Sequence, residues 1–158
     1  MKLETIRLEN WKKFTDPREI QLEDGLNVLH GANESGKTTL MDSLITTFYS
    51  KHTIGSGRIK SLKPWGTSLQ PRSTITFTKN GEKYRISKGF HEKRSILEKM
   101  DKNNWKKIAE GDRADKELIQ LVGGALPGRG DTRPEQWGLG QTLWMVQGKP
   151  IISDDLND

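Results

Sequence analysis

An α/β fold with an antiparallel, strand-rich half is predicted by three features of the sequence. The hydrophobic period changes from strand-like to helical across a glycine-rich segment at residues 31–38. Alternating segments joined by turn dipeptides follow residue 70, and helical periodicity recurs both before and after them.

The elements can be justified in chain order. Leu3, Ile6 and Leu8 alternate with polar residues, Ile20 and Leu22 alternate again, and Leu26-Asn27-Val28-Leu29-His30 is a short apolar run. These read as strands separated by the turn signals Asp16-Pro17 and Asp24-Gly25. Beyond the glycines, Leu40, Met41, Leu44, Ile45, Phe48 and Tyr49 recur at helical spacing, with Asp42, Ser43, Thr46 and Thr47 between them. His52 to Leu69 reads as loop, with Gly55, Gly57, Pro64 and Gly66. Ser73–Thr78 and Lys83–Ile86 then alternate as strands across Asn80-Gly81, a type I′ hairpin signal. A second hairpin joins Ser95–Met100 to Trp105–Ile108 across Asp101-Lys102-Asn103-Asn104. Ala114–Leu121 reads as a helix with Asp112 as its N-cap. Glycine and proline dominate from Gly123 to Gly140, Leu143–Val146 is apolar, and residues 151–158 form a polar, acidic tail. No internal repeat or heptad pattern is visible, so 1–158 reads as a single domain.

Composition narrows the classes. With 158 residues the chain can bury a core, yet only 32% are hydrophobic, low against roughly 45–50% apolar with glycine counted. A face that expects a partner surface follows. The net charge of +5 permits an anionic partner, but 26 basic and 21 acidic residues are interspersed and mark no face by themselves. The absence of cysteine excludes disulfides and thiolate metal sites. Met1–Arg7 has no apolar signal region, and no apolar run approaches the roughly 20 residues a membrane span needs. A cytosolic protein is the simplest expectation.

Gly31-Ala32-Asn33-Glu34-Ser35-Gly36-Lys37-Thr38 fits the pattern G-x-x-x-x-G-K-[ST]. Its glycines let consecutive amides converge on phosphate oxygens, and a helix opening at Lys37 turns its positive dipole end toward the same anion. Lys37 is expected to bridge the β- and γ-phosphates, Thr38 to ligate Mg²⁺, and Thr39 to add a hydrogen bond. An apolar run before the loop and a helical period after it are the context this pattern requires. ATP or a close relative is the ligand such a loop takes.

The chain also resembles a family. Leu3…Ile6-Arg7-Leu8-Glu9-Asn10-Trp11-Lys12-Lys13-Phe14, then Gly25–Leu29, then the loop with Asn33 and Ser35, look like the N-terminus of an SbcC-type ATPase. These are the ATPase subunits of DNA double-strand-break repair nucleases, within the structural-maintenance-of-chromosomes superfamily. Lys79–Ile86 matches the hairpin of that family, and Met145-Val146-Gln147-Gly148 matches its Q-loop. The resemblance implies the N-terminal lobe of an ABC-type ATPase head, completed by a C-terminal lobe beyond a coiled coil. Two such heads sandwich ATP and Mg²⁺, hydrolyse the nucleotide, and couple closure to DNA and a nuclease subunit. It implies that Lys12 and Lys13 lie beside the phosphates, and that Asn33, Glu34 and Ser35 complete the binding loop. It also implies that Gln147 ligates Mg²⁺ and positions the attacking water. The chain stops about ten residues after Gln147, as an excised lobe would.

Other readings remain. A small GTPase would carry an Asn-Lys-x-Asp segment, which is absent. Neither a GTPase nor a nucleotide kinase finds its apolar strand ending in aspartate, and a non-hydrolysing ATP-binding clamp is the remaining alternative. Leu121-Val122-Gly123-Gly124 superficially resembles a signature motif, but it precedes Gln147 and lacks the serine; a helix C-cap explains it. The three histidines show no metal-ligand spacing. Trp65, Trp105, Trp137 and Trp144 have the chemistry to stack on bases, although packing is the commoner use.

Overall fold

The computed structural model describes residues 1–125 and 134–137. Strands β1 (Lys2–Glu9), β2 (Arg18–Gln21), β3 (Arg72–Lys79), β4 (Glu82–Gly89), β5 (Arg94–Asp101) and β6 (Asn104–Glu110) form one antiparallel sheet. Their spatial order is β2-β1-β3-β4-β5-β6. The chain leaves the sheet after β2, makes the glycine-rich loop, α1 (Lys37–Tyr49) and α2 (Ser56–Leu62), and returns as β3 beside β1. That excursion carries every described residue of the predicted phosphate loop.

One row of side chains fixes the register. Ile20, Ile6, Ile75, Ile86, Leu97 and Ala109 are successive cross-strand partners through all six strands. Side chains alternate faces, so a slip of one residue in any strand would move its member of the row to the polar side. The two hairpins close as the dipeptides require. Asn80 and Gly81 both have positive φ, and so do Lys102 and Asn103, the two-residue turn of the second hairpin. Leu40, Leu44 and Phe48 of α1, with Ala114 and Leu118 of α3 (Asp112–Val122), complete the core.

Four expectations change. Leu26–His30 is not a strand among the described residues; Leu26 is 90% and Val28 72% exposed. No described strand lies alongside to pair with it, and the polar partners of Asn27 are the local loop atoms Glu23 O, Gly25 O and Glu23 N–H. Residues 52–69 contain α2, whose seven residues carry a single apolar pair, Ile59 and Leu62, both buried. Asp112 lies within the first turn of α3 and Gly111, with φ of 60°, caps it. Ser43, Thr46 and Thr47 of α1, spaced as a polar face, are buried. Their hydroxyls are satisfied locally: Ser43 donates to Leu40 O at 2.6 Å, Thr47 donates to Ser43 O at 2.6 Å, and Thr46 accepts from Arg58 at 3.2 Å. The Gly123-Gly124 pair does cap α3. Gly123 N–H bonds to Gln120 O and Gly124 N–H to Ile119 O, the two bonds of a Schellman ending.

A buried ionic cluster ties α1 to α3. Lys88 of β4 donates to Ser50 O at 2.6 Å, the carbonyl just past α1, and lies 2.9 Å from Asp115 Oδ1. The last turn of α1 has no basic residue of its own, so Lys88 is the cation at its negative end. Asp115 also accepts from Ser95 Oγ at 2.9 Å, from His52 N–H at 2.8 Å, and contacts His52 Nδ1 at 2.7 Å. Burial alone would push the Asp115 carboxyl up, but the Lys88 ammonium and the His52 donors together hold it below its ordinary value. Desolvation lowers Lys88 despite Asp115. His52, Asp112 and Asp115 could in geometry hold a metal ion. The Lys88 ammonium already supplies the positive charge at Asp115, so the cluster is an ion pair and not a metal centre.

Candidate nucleotide-phosphate site

Gly36 makes the turn from loop to helix. Its φ is 104°, a conformation that side chains rarely adopt, and an added Cβ would collide with the ring of Phe14. At Gly31 an added Cβ would lie 2.8 Å from Ser35 Oγ. Glu34, with φ of 63°, bends the loop without glycine. Helix α1 opens at Lys37, and the amides of Lys37, Thr38 and Thr39 have no backbone acceptor among the described residues. Three unpartnered N–H groups at the positive end of a thirteen-residue helix form an anion seat. The Lys37 ammonium curls over it, donating to Gly31 O at 2.7 Å and Ala32 O at 2.9 Å. Thr38 is exposed, with its hydroxyl free for an incoming ligand. A cavity of about 410 Å³ adjoins the loop, lined by Phe14, Leu29, His30, Ser35, Gly36 and Lys37 among others. Its volume is in the range of small-molecule sites.

The structure treats the two candidate cations differently. Lys12, with φ of 49°, donates its backbone N–H to Leu62 O at 2.7 Å, and its ammonium pairs with Asp42 Oδ2 at 2.5 Å. Arg58 approaches the other Asp42 oxygen at 3.4 Å. Asp42 therefore holds Lys12 on the flank of α1, one turn past Thr38. In the sequence only its place between the apolar positions of α1 hints at this. Lys13 is exposed and has no ion-pair partner among the described residues. Gln147 and Trp144 lie outside the described residues.

A hollow of about 460 Å³ on the opposite sheet face carries Arg7, Arg72 and Arg85. These are paired with Glu19, with Glu9 and Glu92, and with Glu98, so that face is an ion-pair lattice and not an open anion site.

Residues 5–126 match the family model described as an AAA domain, well over half of the chain. The chain belongs to the AAA domain family. Within it, the chain is similar to the DNA double-strand break repair Rad50 ATPase of Methanopyrus kandleri, 24% identical over 137 residues. That match covers 77% of this chain and 14% of the relative. The same-named protein of Archaeoglobus fulgidus is 28% identical over 112 residues, 70% of this chain and 11% of its own. The chromosome partition protein Smc of Thermoplasma acidophilum is 31% identical over 77 residues, covering 48% of this chain and 7% of Smc. This AAA-domain chain thus matches about one-seventh, or less, of the length of these relatives. A solved structure from work on ATP-driven dimerization and DNA-stimulated activation of SMC ATPases shares the fold. Its TM-score is 0.52 at 15% identity, covering 78% of both chains. The family shown is the AAA domain; the repair relatives and the shared fold make the chain similar to Rad50 and SMC ATPases. No described helix is long and apolar enough to cross a membrane.

If Lys12 serves the outer phosphates it must leave Asp42. Lys12→Ala is then expected to weaken ATP binding more than AMP binding, read by parallel titrations. Equal losses would reduce Lys12 to a brace of α1.

Proposed function

We propose that this chain is the ATP-binding half of an ATPase head that dimerises on ATP and couples hydrolysis to DNA repair or DNA processing. The observation that carries the reading is the anion seat at Lys37–Thr39, three free amides under one ammonium on a glycine-shaped turn. In this reading Gly31, Asn33, Glu34, Ser35 and Gly36 wrap the phosphates, Lys37 neutralises them, and Thr38 with Gln147 holds Mg²⁺. A bound Mg²⁺ would supply charge neutralisation at the phosphates. Gln147 orients the attacking water through its amide, and Lys37 stabilises charge that develops on the outer phosphate.

The exposed run Leu26–Leu29 supports a half-head reading. Exposed apolar side chains leading straight into the phosphate loop, with no neighbouring strand among the described residues, fit a face covered by a C-terminal lobe. Two heads facing each other and DNA are further partners of this reading, which the repair relatives and the SMC ATPase neighbour support; a nuclease subunit belongs to the proposal alone.

The direct test is nucleotide titration of the chain with Mg²⁺. A hydrogen bond to a charged group contributes roughly 1.5–3 kcal/mol, so Lys37→Ala should weaken Mg-ATP binding about 10- to 100-fold. Unchanged affinity in a folded variant would remove the phosphate-loop assignment.

A further inference from the structure

Among the described residues, Trp65 is the tryptophan that the site leaves unexplained. Of the four singled out in the sequence, Trp105 lies under the Arg85 guanidinium at 4.4 Å and Trp137 stacks on Tyr49 at 5.1 Å. Trp65 is 101% exposed, so both ring faces meet solvent. A built turn holds it there. Thr67 N–H and Oγ1 both donate to Pro64 O, at 3.4 and 3.1 Å, and Gly66 takes the left-handed position with φ of 70°. Leu62 and Pro64 are buried on the core side, which fixes the base of the turn.

The chain on either side of Trp65 carries one sign of charge. From Ser43 to Gly81, thirty-nine residues, the chain contains no Asp or Glu but carries Lys51, Arg58, Lys60, Lys63, Arg72 and Lys79. Arg58 is held by Asp42, Arg72 by Glu9 and Glu92, and Lys79 by Leu121 O. Lys60 and Lys63 have no acidic partner among the described residues, and they are one helical turn apart at the end of α2, just before Trp65. An aromatic ring held outward beside unpaired lysines suits a ligand that alternates flat bases with phosphates.

We propose that Trp65, Lys60 and Lys63 form a contact for a single, unpaired nucleic-acid strand, with a base stacked on the indole and phosphates on the two ammonium groups. A duplex keeps its bases stacked on each other and offers the indole nothing. Trp65 does not line the cavity at the phosphate loop, and a ring with two open faces lacks the walls of a mononucleotide pocket. The inference takes its ligand class from the proposed DNA-processing role, but its residues are separate from the phosphate loop.

The test uses the 158-residue chain and a fluorescently labelled oligothymidylate of about twenty nucleotides in low salt, read by anisotropy. Stacking of one base on an aromatic ring is a substantial share of such binding. Trp65→Ala should weaken binding about tenfold or more, while Trp65→Phe retains most of it. The double variant Lys60→Ala/Lys63→Ala should flatten the slope of log affinity against log salt by about 1.4, two phosphates at roughly 0.7 each. A duplex of equal length should bind independently of Trp65, and the Trp65-dependent share of strand binding should persist in saturating Mg-ATP, which separates this site from the phosphate loop. Strand binding unaffected by Trp65→Ala would overturn the proposal. So would no strand binding by the unaltered chain, or a Trp65 loss confined to a labelled ATP analogue.

Discussion

Asp115→Ala is expected to destabilise the fold by about 3–5 kcal/mol, the range for breaking a buried ion pair from one side. The variant strands the Lys88 ammonium, 1% exposed, beside the Ser50 carbonyl, and removes the acceptor of Ser95 and of two His52 donors. Denaturant unfolding measures the loss. The paired change Asp115→Leu/Lys88→Met should cost much less than Asp115→Ala alone, because neither charge is then left without its partner. Equal losses would mean that packing at these positions matters and the ion pair does not. The sign with pH follows from the lowered folded carboxyl. Its contribution is present above the ordinary aspartate value of 3.8 and is lost as pH falls from there through the folded value. The unaltered chain should therefore lose stability in acid more steeply than Asp115→Leu/Lys88→Met does.

The second large effect concerns chemistry. The chain alone should bind Mg-ATP weakly and release phosphate near background, and a separately expressed C-terminal lobe should raise turnover a hundredfold or more. The described residues offer the amides of Lys37–Thr39, without backbone acceptors, and the Lys37 ammonium, the groups proposed to bind phosphate. Hydrolysis also needs a carboxylate to orient water and a donor for charge on the leaving phosphate, and one such donor is worth about 10²–10³ in rate. The reading assigns both to the missing lobe. Phosphate release is measured with and without the second polypeptide. Robust turnover by the lone chain, abolished by Lys37→Ala, would show a complete active site and end the half-head reading.

Much of this molecule is legible residue by residue where the determinants are local. Asn80-Gly81 closes a hairpin because only a pair tolerant of positive φ matches the strand twist there. The opening of α1 at Lys37 follows from the glycine before it and the apolar spacing after it. Leu26–His30 misled for the opposite reason. An apolar run has the composition of a strand, but a strand exists only where a neighbour supplies hydrogen bonds, and the described chain supplies none. The helix α2 escaped notice because seven residues with one internal glycine and only two apolar positions carry too little periodicity to register.

The sequence by itself determined the α/β class, both hairpins, the opening of α1 behind a glycine turn and the spacing that ties it to a known family. Each depends on residues within a few positions of one another or on a contiguous motif. Only the tertiary structure decided which charges meet. Asp42 takes Lys12 from thirty residues away, and Asp115 gathers His52, Lys88 and Ser95 across as many as sixty-three. It also decided which tryptophan is left in solvent. Trp65 and Trp105 are the same residue type in equally polar sequence, but one sits on a turn tip and the other under an arginine two strands away in the sheet. Long-range pairing of this kind depends on chain topology, on β3 returning beside β1 after the loop-and-helix excursion, and no local pattern encodes it.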